Sequence, residues 1–334
     1  MQKVLVLGGT GMLGAMLVDV FSKNENVELS ATLREQKYLT FCSEKYPYVN
    51  WDIFDAENSV AHVLSEAIKG NDWIINAIGI TKPLIRDEVL SEVLRAIQVN
   101  SLFPAKLAIE ARKYGAQVIQ IATDCVFSGI KGDLLESDVH DTEDMYGKSK
   151  SIGEIHADGF YNLRCSIIGP EVKDNKFLVE WFRRQPQGVE LSGFKNHIWN
   201  GVSTLTFARI CMGIINNNIQ LPHIQHLVPA DRMTKAEMLH LFTEEYSRED
   251  ILIEAVNAKD SIDRVLSTTD EGLNRKMWRA AGYKDVPTVS DLIKEMSEFE
   301  LILLGNDSDT DKSKISLTRE QNFKENVSNT LKKC

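Results

Sequence analysis

One stretch of this chain restricts its folding more than any other. Val4-Leu5-Val6-Leu7 is an apolar run of strand length that passes directly into Gly8-Gly9-Thr10-Gly11-Met12-Leu13-Gly14, after which apolar residues recur at helical spacing. The glycines read as Gly9-x-Gly11-x-x-Gly14 or as Gly8-x-x-Gly11-x-x-Gly14. A strand, a glycine turn and a helix start in that order form a cradle for the pyrophosphate of a dinucleotide. One glycine permits the tight turn, one removes the Cβ that would hold the backbone off a phosphate, and Gly14 lets helix and strand pack closely. Free N–H groups at the helix start, around Thr10, Met12 and Leu13, then meet the negative charge.

The following residues repeat the alternation. Val27–Leu33 reads as a second strand, Val49–Phe54 as a weaker third, Asn58–Lys69 as a helix, Trp73–Ile78 as a fourth strand and Glu88–Tyr114 as a long helix stopped by Gly115. Gln117–Phe127 is a fifth strand, apolar almost throughout, as befits a strand covered on both faces. Strands alternating with helices predict an α/β fold: a doubly wound parallel Rossmann sheet with a smaller, mixed C-terminal substrate domain. The expected division is residues 1–170 for dinucleotide binding, with segments near 199–231 returning to that unit, and 171–300 for substrate. Beyond the fifth strand, Tyr146–Ala157, Lys176–Arg184, Thr204–Asn216, Lys235–Tyr246 and Val289–Glu300 read as helices, and Tyr161–Ile168 and His226–Val228 as strands. Residues 306–334 form a polar tail. Within it Phe323, Val327 and Leu331 lie four apart and Thr318-x-x-Gln321 suits a capping box, so a short amphipathic helix docking on this chain or on a partner is expected.

Composition narrows the partners. The net charge of −10 repels a polyanion and argues against nucleic acid. Cys42, Cys125, Cys165, Cys211 and Cys334 stand singly, with no metal-ligand spacing, so neither a metal site nor a disulfide scaffold is expected. Val4–Val18 is uncharged, but four glycines interrupt it and no small-x-small cleavage site follows; there is no apolar run of membrane-spanning length elsewhere. The reading is a cytoplasmic protein without a membrane span.

NAD-binding versions of this fold carry an acidic residue at the end of the second strand, where it grips the ribose 2′-hydroxyl. Here that end is Thr32-Leu33-Arg34-Glu35. Arg34 could pair with a 2′-phosphate through its planar fork, which favours NADP over NAD; Glu35 next door weighs the other way. Asp52-Ile53 after the third strand is expected to flank the adenine, and Ala77-Ile78-Gly79 after the fourth to line the cofactor path.

Tyr146-Gly147-Lys148-Ser149-Lys150 places a phenol and an ammonium at i and i+4 on one helix face. A nearby cation lowers a phenol's pKa toward a usable range, making Tyr146 a candidate acid. Thr123, at the C-terminal end of the fifth strand, lies where ligands sit in open α/β sheets.

Together with Gly8, Gly11, Gly14 and Asn100, the segments Ala122-Thr123-Asp124-Cys125-Val126-Phe127-Ser128-Gly129, Tyr146-Gly147-Lys148-Ser149-Lys150-x-x-Gly153-Glu154 and Leu163-Arg164-x-Ser166-Ile167-Ile168-Gly169 resemble the extended short-chain dehydrogenase/reductases. Within these the chain is most similar to the dTDP-4-dehydrorhamnose reductase family. The resemblance covers about residues 1–300 and is strongest to Gly169. It implies a catalytic set of Thr123, Tyr146 and Lys150, with Asn100 supporting a proton relay behind Lys150. Tyr146 would protonate the oxygen of a sugar ketone that Thr123 also holds, and Lys150 would touch the nicotinamide ribose. The implied reaction is NADPH-dependent reduction of a nucleotide-linked keto-deoxysugar, most simply at C4, in polysaccharide or deoxysugar biosynthesis.

Cys125 departs from the family, which carries an aromatic residue there, so the wall beside Asp124 is altered; dehydratases have a glutamate at that place. The loop from Ser192 to Ser203 gathers Lys195, His197 and Trp199, a suitable set for a base, sugar or phosphate. Arg264 resembles the family's diphosphate-binding arginine. Two other classes stay open: a non-catalytic cofactor-binding subunit resembling the β subunit of methionine adenosyltransferase, and a sugar-nucleotide epimerase. A homodimer is compatible with all of them.

Overall fold

The structure, a computed structural model, describes residues 1–302 except 60 and 174. Its centre is a seven-stranded sheet, built from β1 (Gln2–Leu7), β2 (Val27–Leu33), β3 (Asn50–Ile53), β4 (Trp73–Asn76), β5 (Gln117–Thr123), β6 (Phe160–Cys165) and a last strand, Ile224–His226. From one edge to the other the order is the last strand, β6, β5, β4, β1, β2, β3, and every pair is parallel. Parallel pairing needs crossovers, and the helices that supply them cover both faces. Along β1, Val4 and Val6 join a core with Leu17 and Phe21 of α1 (Met12–Ser22) and with Phe207 and Ile210 of helix Thr204–Asn216. Leu5 and Leu7 point the other way, to Leu64 and Ile68 of α3 (Ala61–Ile68) and Leu107 of α5 (Phe103–Tyr114). Between α1 and α3 lies the short α2 (Leu39–Lys45), and before α5 lies α4 (Leu90–Ala96). Strand order reverses between β1 and β4, which opens a crevice at the strands' C-terminal ends.

A second core gathers Phe182, Leu191, Met238, Phe242, Val289 and Ile293. Short strands frame it: Glu190–Phe194 runs parallel to Leu252–Val256, and His197–Trp199 pairs with Met233–Thr234 and Ile262–Asp263. Helix Lys235–Glu245 starts from a capping box between Thr234 and Glu237.

Several expected boundaries move. The fifth strand ends at Thr123 rather than Phe127, because the Thr123 hydroxyl accepts from Cys125 N at 3.2 Å and turns Asp124–Val126 into a 3₁₀ turn. The long helix Glu88–Tyr114 becomes α4, a π turn over Ile97–Leu102, and α5. Pro104 has no N–H for the Asn100 carbonyl, so the α-helical ladder cannot continue there and the helix widens. The edge strand is Ile224–His226 in place of His226–Val228. Among the described residues no helix is long and apolar enough to cross a membrane. The amphipathic helix expected within 306–334 falls outside the described residues.

Candidate functional site

A cleft of about 570 Å³ opens at the switch point. Gly8, Thr10, Gly11, Met12 and Leu13 line one end of it. Gly8 sits at φ +86°, in the left-handed region that favours glycine, and a Cβ on Gly14 would collide with the Gly8 carbonyl. Gly14 therefore does not line the cleft; it lets α1 press on the turn. The N-cap of α1 is Gly11, with no side-chain cap and no acidic residue in the first turn, so the helix's first N–H groups are open to an anion.

Arg34 lines the same end and is exposed. Glu35 is turned to Lys37 at 2.6 Å and Lys173 at 3.9 Å, and its carboxyl lies below the usual range chiefly through the Lys37 hydrogen bond. Asp52 and Ile53 are a correction: both are exposed and outside the cleft, which Phe54, Asp55, Ala56 and Glu57 line instead. The register explains it, since Leu33 pairs with Ile53 and the residue level with Arg34 is Phe54. Ala77, Ile78 and Gly79 lie along the cleft, followed by Thr81 and Lys82. Neither Thr81 nor Lys82 was expected from the sequence; the Thr81 hydroxyl oxygen is buried without a hydrogen-bond partner among the described residues.

Thr123, Tyr146 and Lys150 meet in the middle of the cleft. Tyr146 and Lys150 stand on α6 (Met145–Ile152), whose N-cap Asp144 accepts from Gly147 N at 2.8 Å and pairs with Lys82 at 2.8 Å. A Cβ on Gly147 would collide with the Cys125 carbonyl, so α6 lies directly on the turn after β5. That contact sets Tyr146 beside Thr123 in the cleft lining. Lys150 is buried and its Nζ donates to the Ile121 carbonyl at 2.9 Å.

The charge states run opposite to a simple phenol–ammonium pairing. Burial, then Cys125 and Asp124, push the Tyr146 phenol well above its ordinary range, and the Thr123 hydrogen bond offsets only part of this. Burial of the phenol overrides the lowering expected from Lys150, whose own amine burial brings down to about 8. Cys125 is pushed up to about 12, chiefly by burial, and so is a neutral wall, not a nucleophile.

Asn100 is buried outside the cleft lining. Its amide donates to the Ile80 carbonyl at 2.9 Å and to Ser149 Oγ at 3.1 Å, and its Oδ1 accepts from Ile80 N at 2.8 Å. It thus ties the segment after β4 to α6. Its partners are Ile80 and Ser149, whereas Lys150 donates to Ile121.

At the far end stand His197, Trp199 and Arg264, joined by Lys235. Arg264 is fixed by donating to the Phe127 and Ser128 carbonyls at 2.9 and 3.1 Å. Trp199 Nε1 donates to Ser166 Oγ at 2.7 Å, and Lys235 Nζ lies 5.4 Å over its ring. His197 Nε2 bonds the Asp260 carbonyl at 3.1 Å, and burial lowers the imidazole, so the ring is neutral at pH 7. Lys195 is a second correction. It is exposed at the turn between strands Glu190–Phe194 and His197–Trp199 and does not line the cleft. Strand alternation accounts for this, because His197 and Trp199 share one face and the turn residue has no inward side.

The family model for the RmlD substrate binding domain matches residues 1–300. The chain belongs to this family. Among curated proteins this RmlD-type chain is 29% identical over 248 residues to methionine adenosyltransferase 2 subunit beta of Danio rerio, covering 71% of this chain and 72% of the relative. It is also 30% identical over 156 residues to spore coat polysaccharide biosynthesis protein SpsK of Bacillus subtilis, covering 46% of this chain and 47% of the relative. Among solved structures, a dTDP-4-dehydrorhamnose reductase of Clostridium acetobutylicum superposes with a TM-score of 0.65 at 19% identity, over 88% of this chain and 98% of the other. The enzyme of the same name from Bacillus anthracis, solved with NADP, gives 0.65 at 18% over 88% and 98%. At these identities the structures show a shared fold.

Proposed function

We propose that this chain is an NADPH-dependent reductase of a nucleotide-linked keto-deoxysugar, acting at C4. The observation that carries the reading is the convergence of Thr123, Tyr146 and Lys150 in the glycine-lined cleft at the switch point. The cleft fits a dinucleotide: uncapped N–H groups at α1, a backbone approach free of Cβ at Gly11 beyond its own turn, Arg34 at the end of β2, and the unpartnered Thr81 hydroxyl. When bound, a reduced nicotinamide supplies hydride. The chain's own residues do the rest. Tyr146, kept protonated by burial, gives a proton to the ketone oxygen, Thr123 holds that oxygen, and Lys150 carries the charge beneath them. His197, Trp199, Lys235 and Arg264 would take the nucleotide part, in a domain formed largely by residues after 170. The protein would work in the cytoplasm.

The test is NADPH oxidation with a panel of nucleotide-linked 4-keto-6-deoxysugars; turnover by none of them would overturn the reading. Arg34→Ala is expected to raise KM for NADPH about 10- to 100-fold, the loss of one charge-assisted pair, and to leave NADH unaffected. Equal effects on both cofactors would remove Arg34 from the 2′-phosphate. Thr81→Val is expected to weaken NADPH binding about 10-fold without lowering the melting temperature of the free protein, since it deletes a buried hydroxyl that has no partner. Lower stability with unchanged binding would show that the hydroxyl has a structural partner.

A second reading is a cofactor-binding regulatory subunit. The match to methionine adenosyltransferase 2 subunit beta over 71% of this chain favours it. A stoichiometric protein partner retained in purification, with no sugar-nucleotide turnover, would select that reading.

A further inference from the structure

Beyond β6 the chain comes back to the glycine turn before it enters helix Leu178–Arg183, and Lys173 makes the contact: its Nζ donates to Thr10 Oγ1 at 3.4 Å. Thr10 is buried in the turn between β1 and α1. Glu171, also buried, accepts from Phe177 N at 2.6 Å, which closes a loop with Lys173 inside it. The Lys173 ammonium lies 3.9 Å from Glu35 Oε1 and 5.2 Å over the Tyr38 ring. Lys37 answers it from the segment after β2, 2.6 Å from Glu35 Oε2 and 4.9 Å over the same ring. Each oxygen of the Glu35 carboxylate therefore faces a protein cation. Lys173 and Arg34 both line the cleft.

An acid at the end of the second strand is what grips a ribose 2′-hydroxyl in an NAD-type site. Glu35 stands at that place, one residue past Arg34, with its carboxylate turned to Lys37 and Lys173. Three cations, Arg34, Lys37 and Lys173, thus meet one carboxylate, and the balance is positive. A phosphate monoester, mostly dianionic near pH 7, suits that balance; a neutral hydroxyl gains little from it. We infer that Lys173 is a specificity-determining residue for the cofactor: with Arg34 it takes the 2′-phosphate of NADPH, and with Lys37 it occupies the acid that would otherwise hold a ribose hydroxyl. The inference rests on the dinucleotide part of the proposed function and is independent of the sugar reaction. An ammonium has three donors on a flexible stem, and the contacts to Thr10 and Glu35 are both long, so Lys173 can turn a donor to a phosphate while staying beside Glu35.

The test is binding of NADP⁺ and NAD⁺, which differ only in the 2′-phosphate, measured by isothermal titration calorimetry on the full chain. In Lys173→Ala the Kd for NADP⁺ is expected to rise about 10-fold while that for NAD⁺ stays within about twofold. Lys173→Arg, which keeps the charge, is expected to hold both within about threefold of native. Glu35→Gln checks the second half: the Kd for NAD⁺ should stay within about twofold, and a rise of about 10-fold would show that Glu35 holds the ribose and overturn that half. Equal weakening of both dinucleotides in Lys173→Ala, the mark of a disturbed glycine turn or of a pyrophosphate contact, overturns the inference, as does no change in either. A native protein that binds neither dinucleotide would sink the cofactor reading and the inference together. If Lys173→Ala loses NADP⁺ alone in a protein that reduces no sugar nucleotide, the reductase reading fails and the role of Lys173 stands.

Discussion

Tyr146→Phe is expected to lower kcat for sugar-nucleotide reduction by about 10²- to 10⁴-fold, the loss of a positioned proton donor, with NADPH binding and melting temperature close to native. The ring itself packs against Ile80, Ile85 and Val99, and a phenylalanine ring preserves that contact, so the loss isolates the hydroxyl. The charge state sharpens the expectation. Since burial holds the phenol well above its ordinary range, it stays protonated through the whole neutral region. Decline of the native rate above about pH 8 then belongs to Lys150, whose amine is lowered to about 8. A donor kept protonated suits reduction, and the reverse oxidation should demand higher pH. Product formed equally fast by the native enzyme and the Tyr146→Phe variant, measured by NADPH consumption, would remove Tyr146 from the chemistry.

What the sequence discloses of this site depends on how local each signal is. The strand Val27–Leu33 and the helix Thr204–Asn216 have the predicted limits, because each carries its own period and its own boundary residues. That Thr123, Tyr146 and Lys150 would share one cleft was legible for a related reason: strand end and helix face are properties of short segments. Two of the cations that line the cleft were not. Lys82 enters the cleft on a turn after β4, and Lys235 begins a helix 40 residues beyond Lys195, the cation that the loop composition suggested. Strands Glu190–Phe194 and Leu252–Val256 pair across a separation of about 60 residues, so neither announces itself through local alternation. Helix Glu271–Ala280 is mostly polar and was missed; the Asp270 side chain, accepting from Leu273 N at 2.8 Å, is its one plain start signal. Asp52-Ile53 failed by one register step, a quantity fixed by pairing with β2 and invisible in β3 alone.

The same distinction bears on Arg164, whose importance no single segment shows. Arg164→Met is expected to destabilise the protein by about 3–5 kcal/mol, because it leaves the Glu154 carboxylate buried without its bidentate partner. Four chain segments meet at this guanidinium: the end of α6 through Glu154, β6 itself, the edge strand through His226, and the segment from Phe127 to Asp141 through His140 and the Phe127 ring. The network continues outward, with His226 Nδ1 bonded to the Ser267 carbonyl at 2.6 Å and His140 Nδ1 to Ser151 Oγ at 2.7 Å. Glu136 adjoins it, accepting from His226 N at 3.1 Å as well as from Thr268 Oγ1 at 2.6 Å and Thr269 N at 3.0 Å, and the two threonine bonds help bring its carboxyl down to about 2 against burial. The double variant Glu154→Gln/Arg164→Met should recover most of the loss, since a neutral pair in a packed interior is often no less stable than a buried ion pair. Urea unfolding of the native protein, the single variant and the double variant measures both terms. If the single variant were as stable as native, the guanidinium would be an ornament of β6; if the double variant were as unstable as the single, the cost would come from lost packing around Phe127 and the two imidazoles, not from an orphaned charge.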